Sequence, residues 1–148
     1  MTPELLWKAI SVSPEDTTSI IKTRVLPIVF PYVIYIDGQM GSGKTFISRC
    51  IGKYYNSNDI VSNSFSKISL HDGLPKFIHC DFYNIEKQDE FFFSNIYDLI
   101  DDSSVILLEW SKCFFQIEVP QFFLKIELTT KLNRRLMLYK LGQFNISI

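Results

Sequence analysis

A glycine-rich octapeptide directly follows an apolar run, and it constrains this chain more than any other feature. Residues 38–45 read GQMGSGKT, which fits G-x-x-x-x-G-K-[ST], and they follow the apolar run Tyr32 to Ile36. This order predicts a buried strand, a tight loop and a helix that begins at Lys44. Glycines let successive N–H groups point inward around a polyphosphate, and a helix N-terminus favours an anion. The sequence therefore predicts a nucleotide site, and a flexible turn is the less specific alternative.

Individual positions of this loop have predicted roles. Lys44 is expected to reach the terminal phosphates, and the Thr45 hydroxyl is expected to ligate Mg²⁺. The remaining predicted phosphate-binding positions are Gly38, Gly41, Ser42 and Gly43. The expected ligand is therefore ATP or GTP.

Composition narrows the class of protein. The chain has 148 residues, 47% of them hydrophobic, and a net charge of −1, which predicts one globular domain over residues 1–148. A near-neutral chain has no overall electrostatic attraction for nucleic acid. Cys50, Cys80 and Cys113 lack a metal-ligand spacing and are expected to be reduced. The sequence shows neither a bilayer-length apolar stretch nor a signal-peptide layout, so a cytoplasmic location without membrane association is expected.

Strand and helix patterns alternate along the chain. Ser13 and Pro14 read as the N-cap and first-turn proline of a helix that ends before Pro27. Further helices are predicted over 44–55 and 86–100. Strands are predicted over 7–12, 32–36, 67–70, 76–80, 105–108, 122–128 and 136–141, with 67–70 and 76–80 paired as a hairpin. This layout predicts an α/β fold of the P-loop NTPase type, with a largely parallel central sheet and flanking helices.

Two acidic residues follow apolar strands. Asp81 ends the run 77–81, and Glu109 ends the run 105–109. Either acid alone is more simply explained as a strand cap that faces solvent. Ligands bind at the carboxyl edge of such sheets, so the nearby phosphate loop favours a role for both in holding Mg²⁺ or orienting an attacking water.

Five segments together resemble the TsaE family, bacterial ATPases that serve the threonylcarbamoyladenosine modification of tRNA. They are the loop Gly38 to Thr45, the run Ser62 to Phe65, His79 to Tyr83, Leu108 to Trp110, and Ser13 to Thr17. Their order and spacing agree over almost the whole chain. The Glu-Trp pair after an apolar strand, together with H-x-D-x-Y, is the most specific part of the resemblance.

The resemblance implies roles for the matching residues. Lys44 and the loop amides would bind the phosphates of ATP, with Thr45 and Glu109 at Mg²⁺ and Asp81 as a second catalytic acid. Ser64 would belong to a loop that senses the γ-phosphate. Thr17 and Trp110 would lie near the nucleotide base.

Two positions depart from the family pattern. Asn63 stands where the family usually has proline, which removes a backbone constraint from the γ-phosphate-sensing loop. Asn84 stands where the family usually has arginine, so a cationic contact at that position is in doubt. Neither change affects the loop lysine or the two acids.

The family resemblance implies a magnesium-dependent ATPase whose partners are the TsaD-like and TsaB-like subunits that act on tRNA. A hydrolase without its own arginine finger is expected to be slow, so weak ATPase activity alone is predicted. A small-molecule kinase of the same fold is one alternative. Such kinases generally bring arginines from a lid, and this chain has four arginines with none between positions 50 and 133. A nucleotide-responsive interaction module without useful turnover is the other alternative.

A mildly basic tail raises the question of direct tRNA contact. Its cations are Lys125, Lys131, Arg134, Arg135 and Lys140. Direct contact is not expected, because these charges are more simply explained as cover for an exposed edge strand or, for Arg134, as a contact to the nucleotide. His79 and Cys80 are assigned no catalytic role, since no nucleophile or second metal ligand is identified for His79 and Cys80 is expected to face the core. The run Phe91 to Phe93 is explained more simply by packing than by docking of a partner.

Overall fold

The computed structural model describes residues 3–57, 68–82, 96–110 and 117–142, apart from the side chain of Lys131. These residues form a seven-stranded sheet that carries helices on both faces. The elements are β1 (Glu4–Ser11), α1 (Pro14–Arg24), β2 (Tyr32–Gly38), α2 (Lys44–Tyr54), β3 (Ile68–His71), β4 (Lys76–Asp81), β5 (Ser104–Glu109), β6 (Gln121–Leu128) and β7 (Arg134–Lys140). Residues 96–99 are also helical.

The sheet is parallel at its centre and antiparallel towards its edges. Its order is β1-β7-β6-β2-β5-β4-β3. The four strands β6, β2, β5 and β4 are parallel neighbours, which confirms the predicted central parallel sheet. β3 pairs with β4 as the predicted antiparallel hairpin, and β7 is antiparallel to both β6 and β1. The short link between β6 and β7 enforces this direction, because a parallel return needs a crossover of a dozen or more residues.

β2 is buried on both faces, which explains its unbroken apolar sequence. Ile34 and Ile36 pack on the side that carries α1 and α2, with Ile47 of α2 in the same cluster. Val33 and Tyr35 pack on the opposite side, in the cluster that includes Ile96. The central strand is therefore fixed in position, and so is the loop that leaves its carboxyl end.

α1 begins and ends as the sequence predicts. Ser13 has an extended backbone, and its side chain accepts a hydrogen bond from the Asp16 N–H at 3.0 Å. Pro14 occupies the first turn, where its missing N–H costs nothing. The helix ends at Arg24, three residues before Pro27.

The remaining sequence predictions concern the cysteines, several segments outside the described residues, and membrane association. Cys50 and Cys80 are free thiols, and Cys80 lies in the core, where burial raises the pKa of its thiol. Several predicted features lie outside the described residues: the run Ser62 to Phe65, Asn84, residues 86–95, Phe91 to Phe93 and Cys113. In the described part of the chain, no helix has the length and apolar character that crossing a membrane requires.

Candidate functional site

The loop at the carboxyl end of β2 adopts backbone conformations that require glycine. Gly41 has φ 80° and Gly43 has φ 111°, both in the left-handed region that residues with a Cβ rarely adopt. Gly43 immediately precedes α2, and a Cβ there would lie 3.3 Å from Arg134 Nε. Any side chain at these two positions would strain the loop.

Gly38 is required for a different reason, which is close packing. It pairs with Ile126 of β6, and a Cβ on Gly38 would lie 2.9 Å from the Ile126 carbonyl oxygen and would collide with the Ser42 hydroxyl. Ser42 is fully buried, and its Oγ has no hydrogen-bond partner among the described residues. The Ser42 N–H donates to the Gln39 carbonyl at 3.0 Å. The Ser42 side chain therefore packs the loop onto the sheet, while its backbone shapes the turn.

The N-terminus of α2 differs from that of α1. α1 is capped by the Ser13 side chain and has Glu15 and Asp16 in its first turn. In the described part of the chain α2 has no side-chain cap, and its first turn contains no acidic residue. The first N–H groups of a helix lack intrahelical acceptors and attract anions. This helix end is therefore suited to a phosphate group.

Lys44 is held beneath the loop by backbone carbonyls and an aromatic ring. Its Nζ donates to the Gly38 carbonyl at 2.5 Å and to the Gln39 carbonyl at 2.9 Å. The same Nζ lies 4.0 Å from the centroid of the Trp110 ring, a distance suited to a cation–π contact. The side chain is almost fully buried. The ammonium group thus lies between the first residues of the loop and the Trp110 ring.

Opposing effects act on the charge of Lys44. Burial lowers the pKa of its ammonium group below the ordinary value of 10.5, and the charges of Glu109, Asp37 and Asp81 partly offset this effect. A polyphosphate next to the ammonium group would favour the charged form and raise the pKa again.

Nucleotide binding is therefore expected to take up protons at alkaline pH. The pKa of Lys44 is lower in the free protein than in the complex, so affinity should fall as pH rises through the lowered pKa, at a pH below 10.5. Calorimetry in buffers of different protonation enthalpy measures this uptake. The matched control is Lys53→Ala, which removes an exposed lysine from the same helix. Equal uptake by the wild type and Lys44→Ala would contradict this assignment.

Glu109 ends β5, and its carboxylate contacts side chains of α2 and β4. Its Oε1 lies 3.4 Å from Thr45 Oγ1. Its Oε2 accepts a hydrogen bond from Ser48 Oγ at 3.1 Å and contacts His79 Nε2. Only 2% of Glu109 is exposed, so its carboxylate is held by protein groups and not by solvent.

Asp81 lies beside Glu109 at the same edge of the sheet. The two residues are in register across the parallel strands β4 and β5. Asp81 is 8% exposed, and the Phe82 N–H that follows it donates to the Glu109 carbonyl at 2.9 Å. Both acids predicted from strand ends are therefore buried at the loop edge, where a strand-capping role facing solvent does not apply.

Thr17 and Arg134, two residues predicted to contact the nucleotide, lie together beside the loop. They line a small cavity of about 120 Å³ with Pro14, Gly43, Phe46 and Ile47. Arg134 Nε donates to the Ser42 carbonyl at 2.5 Å, and Thr17 Oγ1 is hydrogen-bonded to Ser11 Oγ at 2.5 Å. Trp110 is absent from this lining and lies against Lys44 instead. The assignments of Thr17, Trp110 and Arg134 to the nucleotide stay predictions.

The oxygen donors at the site suit magnesium bound together with a nucleotide. Within the described ranges, no group of three or more His, Cys, Asp or Glu side chains is arranged to hold a metal ion. Thr45 and Glu109 supply one hydroxyl and one carboxylate, which are hard oxygen donors. Mg²⁺ typically binds one or two such protein groups and completes its shell with waters and substrate phosphates.

Sequence reasoning missed three groups near this site and named one that lies outside the described residues. Asp37 and Ser48 were given no role, and His79 was considered but assigned no catalytic role. Ser48 follows Thr45 by three positions on α2, and His79 precedes Asp81 by two on β4, so helical and strand periodicity indicate shared faces. Ser64 lies outside the described residues.

The basic tail has local partners in the structure. Lys125 and Arg135 lie 3.2 and 3.3 Å from the Glu127 carboxylate, and Arg134 contacts the loop. β7 lies between β6 and β1, so its explanation as an exposed edge strand is wrong. The contact of Arg134 with the phosphate loop agrees better with the alternative, a role beside the nucleotide.

Comparison with known proteins gives a consistent result. The family model described as "Threonylcarbamoyl adenosine biosynthesis protein TsaE" matches residues 11–137. The chain is similar to the tRNA threonylcarbamoyladenosine biosynthesis protein TsaE of Rickettsia prowazekii, with 29% identity over 111 residues, 70% of this chain and 74% of the relative. The protein of the same name from Rickettsia typhi is 28% identical over 119 residues, 76% of this chain and 79% of the relative.

A solved structure shares the fold. The crystal structure of Bacillus subtilis YdiB matches with a TM-score of 0.67, covering 96% of this chain and 89% of YdiB. The two sequences are 23% identical, so this match establishes the α/β architecture and nothing about the chemistry.

Proposed function

Because the chain belongs to the TsaE family, a family of P-loop ATPases involved in threonylcarbamoyladenosine modification of tRNA, we propose that it binds Mg-ATP and hydrolyses it slowly. One observation carries this proposal: Lys44 and Thr45, at the start of α2, lie close to Glu109 and Asp81 at a helix N-terminus that has no side-chain cap among the described residues. We also propose that residues 1–148 form a single domain.

The proposed roles follow from the positions of the side chains. Lys44 leaves the Gly38 and Gln39 carbonyls and donates to the β- and γ-phosphate oxygens. Thr45 and Glu109 hold Mg²⁺, which when bound neutralises charge on those phosphates. Asp81 accepts a hydrogen bond from the attacking water and orients it. Gly38, Gly41, Ser42 and Gly43 shape the backbone around the phosphates.

Slow turnover by the isolated chain follows from its arginines. An arginine that stabilises the transferring phosphoryl group raises the rate by about 10³–10⁵ in related enzymes. Of the four arginines, Arg134 lies at the loop. Its Nε donates to the Ser42 carbonyl, so this nitrogen is engaged by the backbone of the loop and not by a phosphoryl group. We therefore propose that a partner raises or gates the activity.

The proposed partners are TsaD-like and TsaB-like subunits, and the proposed location is the cytoplasm. The net charge of −1 and the local pairing of Lys125 and Arg135 support a role in which the partners, and not this chain, contact tRNA. The chemistry on tRNA would then occur in those subunits, with ATP hydrolysis here driving or resetting the complex.

Phosphate release from ATP, measured with and without the two partner subunits, tests the proposal. Wild type is expected to turn over slowly alone and at a different rate with partners, whereas Lys44→Ala should be inactive in both conditions. The partner subunits without this chain are the control for contaminating activity. Phosphoryl transfer to a nucleoside faster than phosphate release would replace the hydrolase assignment with a kinase.

A further inference from the structure

The two carboxylate oxygens of Glu109 have different surroundings. Oε2 contacts His79 Nε2 and accepts from Ser48 Oγ at 3.1 Å. Oε1 lies near the Thr45 hydroxyl, at the longer distance of 3.4 Å. One oxygen is thus bound by two protein donors, while the other faces the residue predicted to share its metal.

The contacts at Oε2 are shielded from solvent. The side chains of His79 and Glu109 are 4% and 2% exposed, and Ser48 is fully buried. An ionised carboxylate only accepts hydrogen bonds, so His79 donates through Nε2 and Ser48 through its hydroxyl. Water has little access to replace either donor, and a buried acceptor without its donor is costly.

Both donors belong to elements that also carry predicted nucleotide-binding residues. His79 is on β4, two positions before Asp81, while Cys80 between them lies in the core on the opposite face. Ser48 is on α2, one turn after Thr45. The contacts at Oε2 therefore connect the orientation of Glu109 to the strand of the second acid and to the helix of the phosphate loop.

We propose that His79 is a positioning residue that, together with Ser48, fixes Glu109 through Oε2 so that Oε1 alone faces Thr45 and the metal. This inference rests on the proposed function, because it concerns the same carboxylate. Partners of metal-binding side chains commonly orient the ligand in this way, and their loss costs about 10- to 100-fold in metal affinity or activity.

The test compares His79→Leu, which removes the donor, with His79→Gln, whose amide can still donate to Oε2. In the complex with its partner subunits, His79→Leu is expected to lower kcat by about 10- to 100-fold and to raise KM for Mg-ATP by up to about tenfold. The gain in ATP affinity on adding Mg²⁺, measured by calorimetry, should fall by about tenfold. His79→Gln should recover most of both quantities.

Cys80→Ala is the matched control, because it alters a buried residue of the same strand that faces away from Glu109. It should leave kcat and the magnesium effect near wild type. Wild-type values in His79→Leu, or no recovery in folded His79→Gln, would overturn the proposal. If His79→Leu does not fold, Ser48→Ala is measured in its place. An unchanged magnesium effect in Ser48→Ala would also overturn the proposal. Inactive wild type would instead disprove the proposed ATPase.

Discussion

Lys44→Ala is expected to abolish measurable ATP hydrolysis and to weaken ATP binding by about 10²–10⁴-fold, since its two proposed hydrogen bonds to phosphate oxygens contribute roughly 1.5–3 kcal/mol each. The ammonium group of Lys44 is buried under the loop at the carboxyl edge of the sheet, next to an uncapped helix end. Alanine leaves the phosphates without their nearest cation and leaves Glu109, Asp37 and Asp81 without its charge. Binding should therefore be weakened and turnover lost.

Lys44→Met separates the loss of charge from the loss of packing. Methionine keeps an apolar stem against Trp110, and it cannot donate to the Gly38 and Gln39 carbonyls or to a phosphate. It should fold as well as or better than the alanine variant and bind ATP as poorly. Lys53→Ala, at an exposed position of the same helix, should bind normally. Calorimetry and circular dichroism measure binding and folding, and ATP affinity near wild type in Lys44→Met would contradict the role of the charge.

Glu109→Gln is expected to lower ATP turnover by about 10²–10⁴-fold, because a bound metal ion contributes several kcal/mol of charge stabilisation in the transition state and this variant removes a carboxylate proposed to hold it. ATP binding should change far less, because the loop amides and Lys44 are untouched. Single-turnover phosphate release and calorimetry measure the two effects separately.

The surroundings of Glu109 explain why an isosteric amide should be so damaging. Ser48 and His79 both donate to Oε2, so the carbonyl oxygen of a glutamine would occupy that position. Its NH₂ group would then face Thr45, and an oxygen acceptor would be replaced by a donor where the metal is expected. The substitution thus removes the charge and also reverses the hydrogen-bonding character of the metal side.

Glu127→Gln is the matched control, since this glutamate is partly exposed and pairs with Lys125 and Arg135 outside the site. It should turn over ATP at the wild-type rate. The Glu109→Gln variant also tests the alternative that this chain is an interaction module, which would need ATP binding but not ATP hydrolysis. If Glu109→Gln still supports tRNA modification by the complete set of subunits, hydrolysis is not the useful activity of this chain.

Much of the fold follows from local sequence patterns. The unbroken apolar run of β2 indicates burial on both faces, and Ser13 with Pro14 specifies where α1 begins. The acids at the ends of β4 and β5 were predicted together because carboxyl ends of parallel strands share an edge. These inferences succeed because a few neighbouring residues contain the whole signal.

Local sequence patterns could not predict the position of β7 in the sheet or the side chains that donate hydrogen bonds to Glu109. Nothing local distinguishes an edge strand from one enclosed between β6 and β1, because strand order depends on packing of the whole sheet. His79 reads in sequence as an isolated histidine before Asp81. Its contact with Glu109 arises only when β4 and β5 pair in their observed register.

The sequence by itself determined that a glycine loop joins a buried strand to a helix at Lys44, since spacing within eight residues carries that information. The tertiary structure decided which groups hold Glu109, because Thr45, Ser48 and His79 lie 64, 61 and 30 positions from it along the chain. Contacts over such separations depend on strand order and register, which are set by the packing of the whole sheet and not by any short segment.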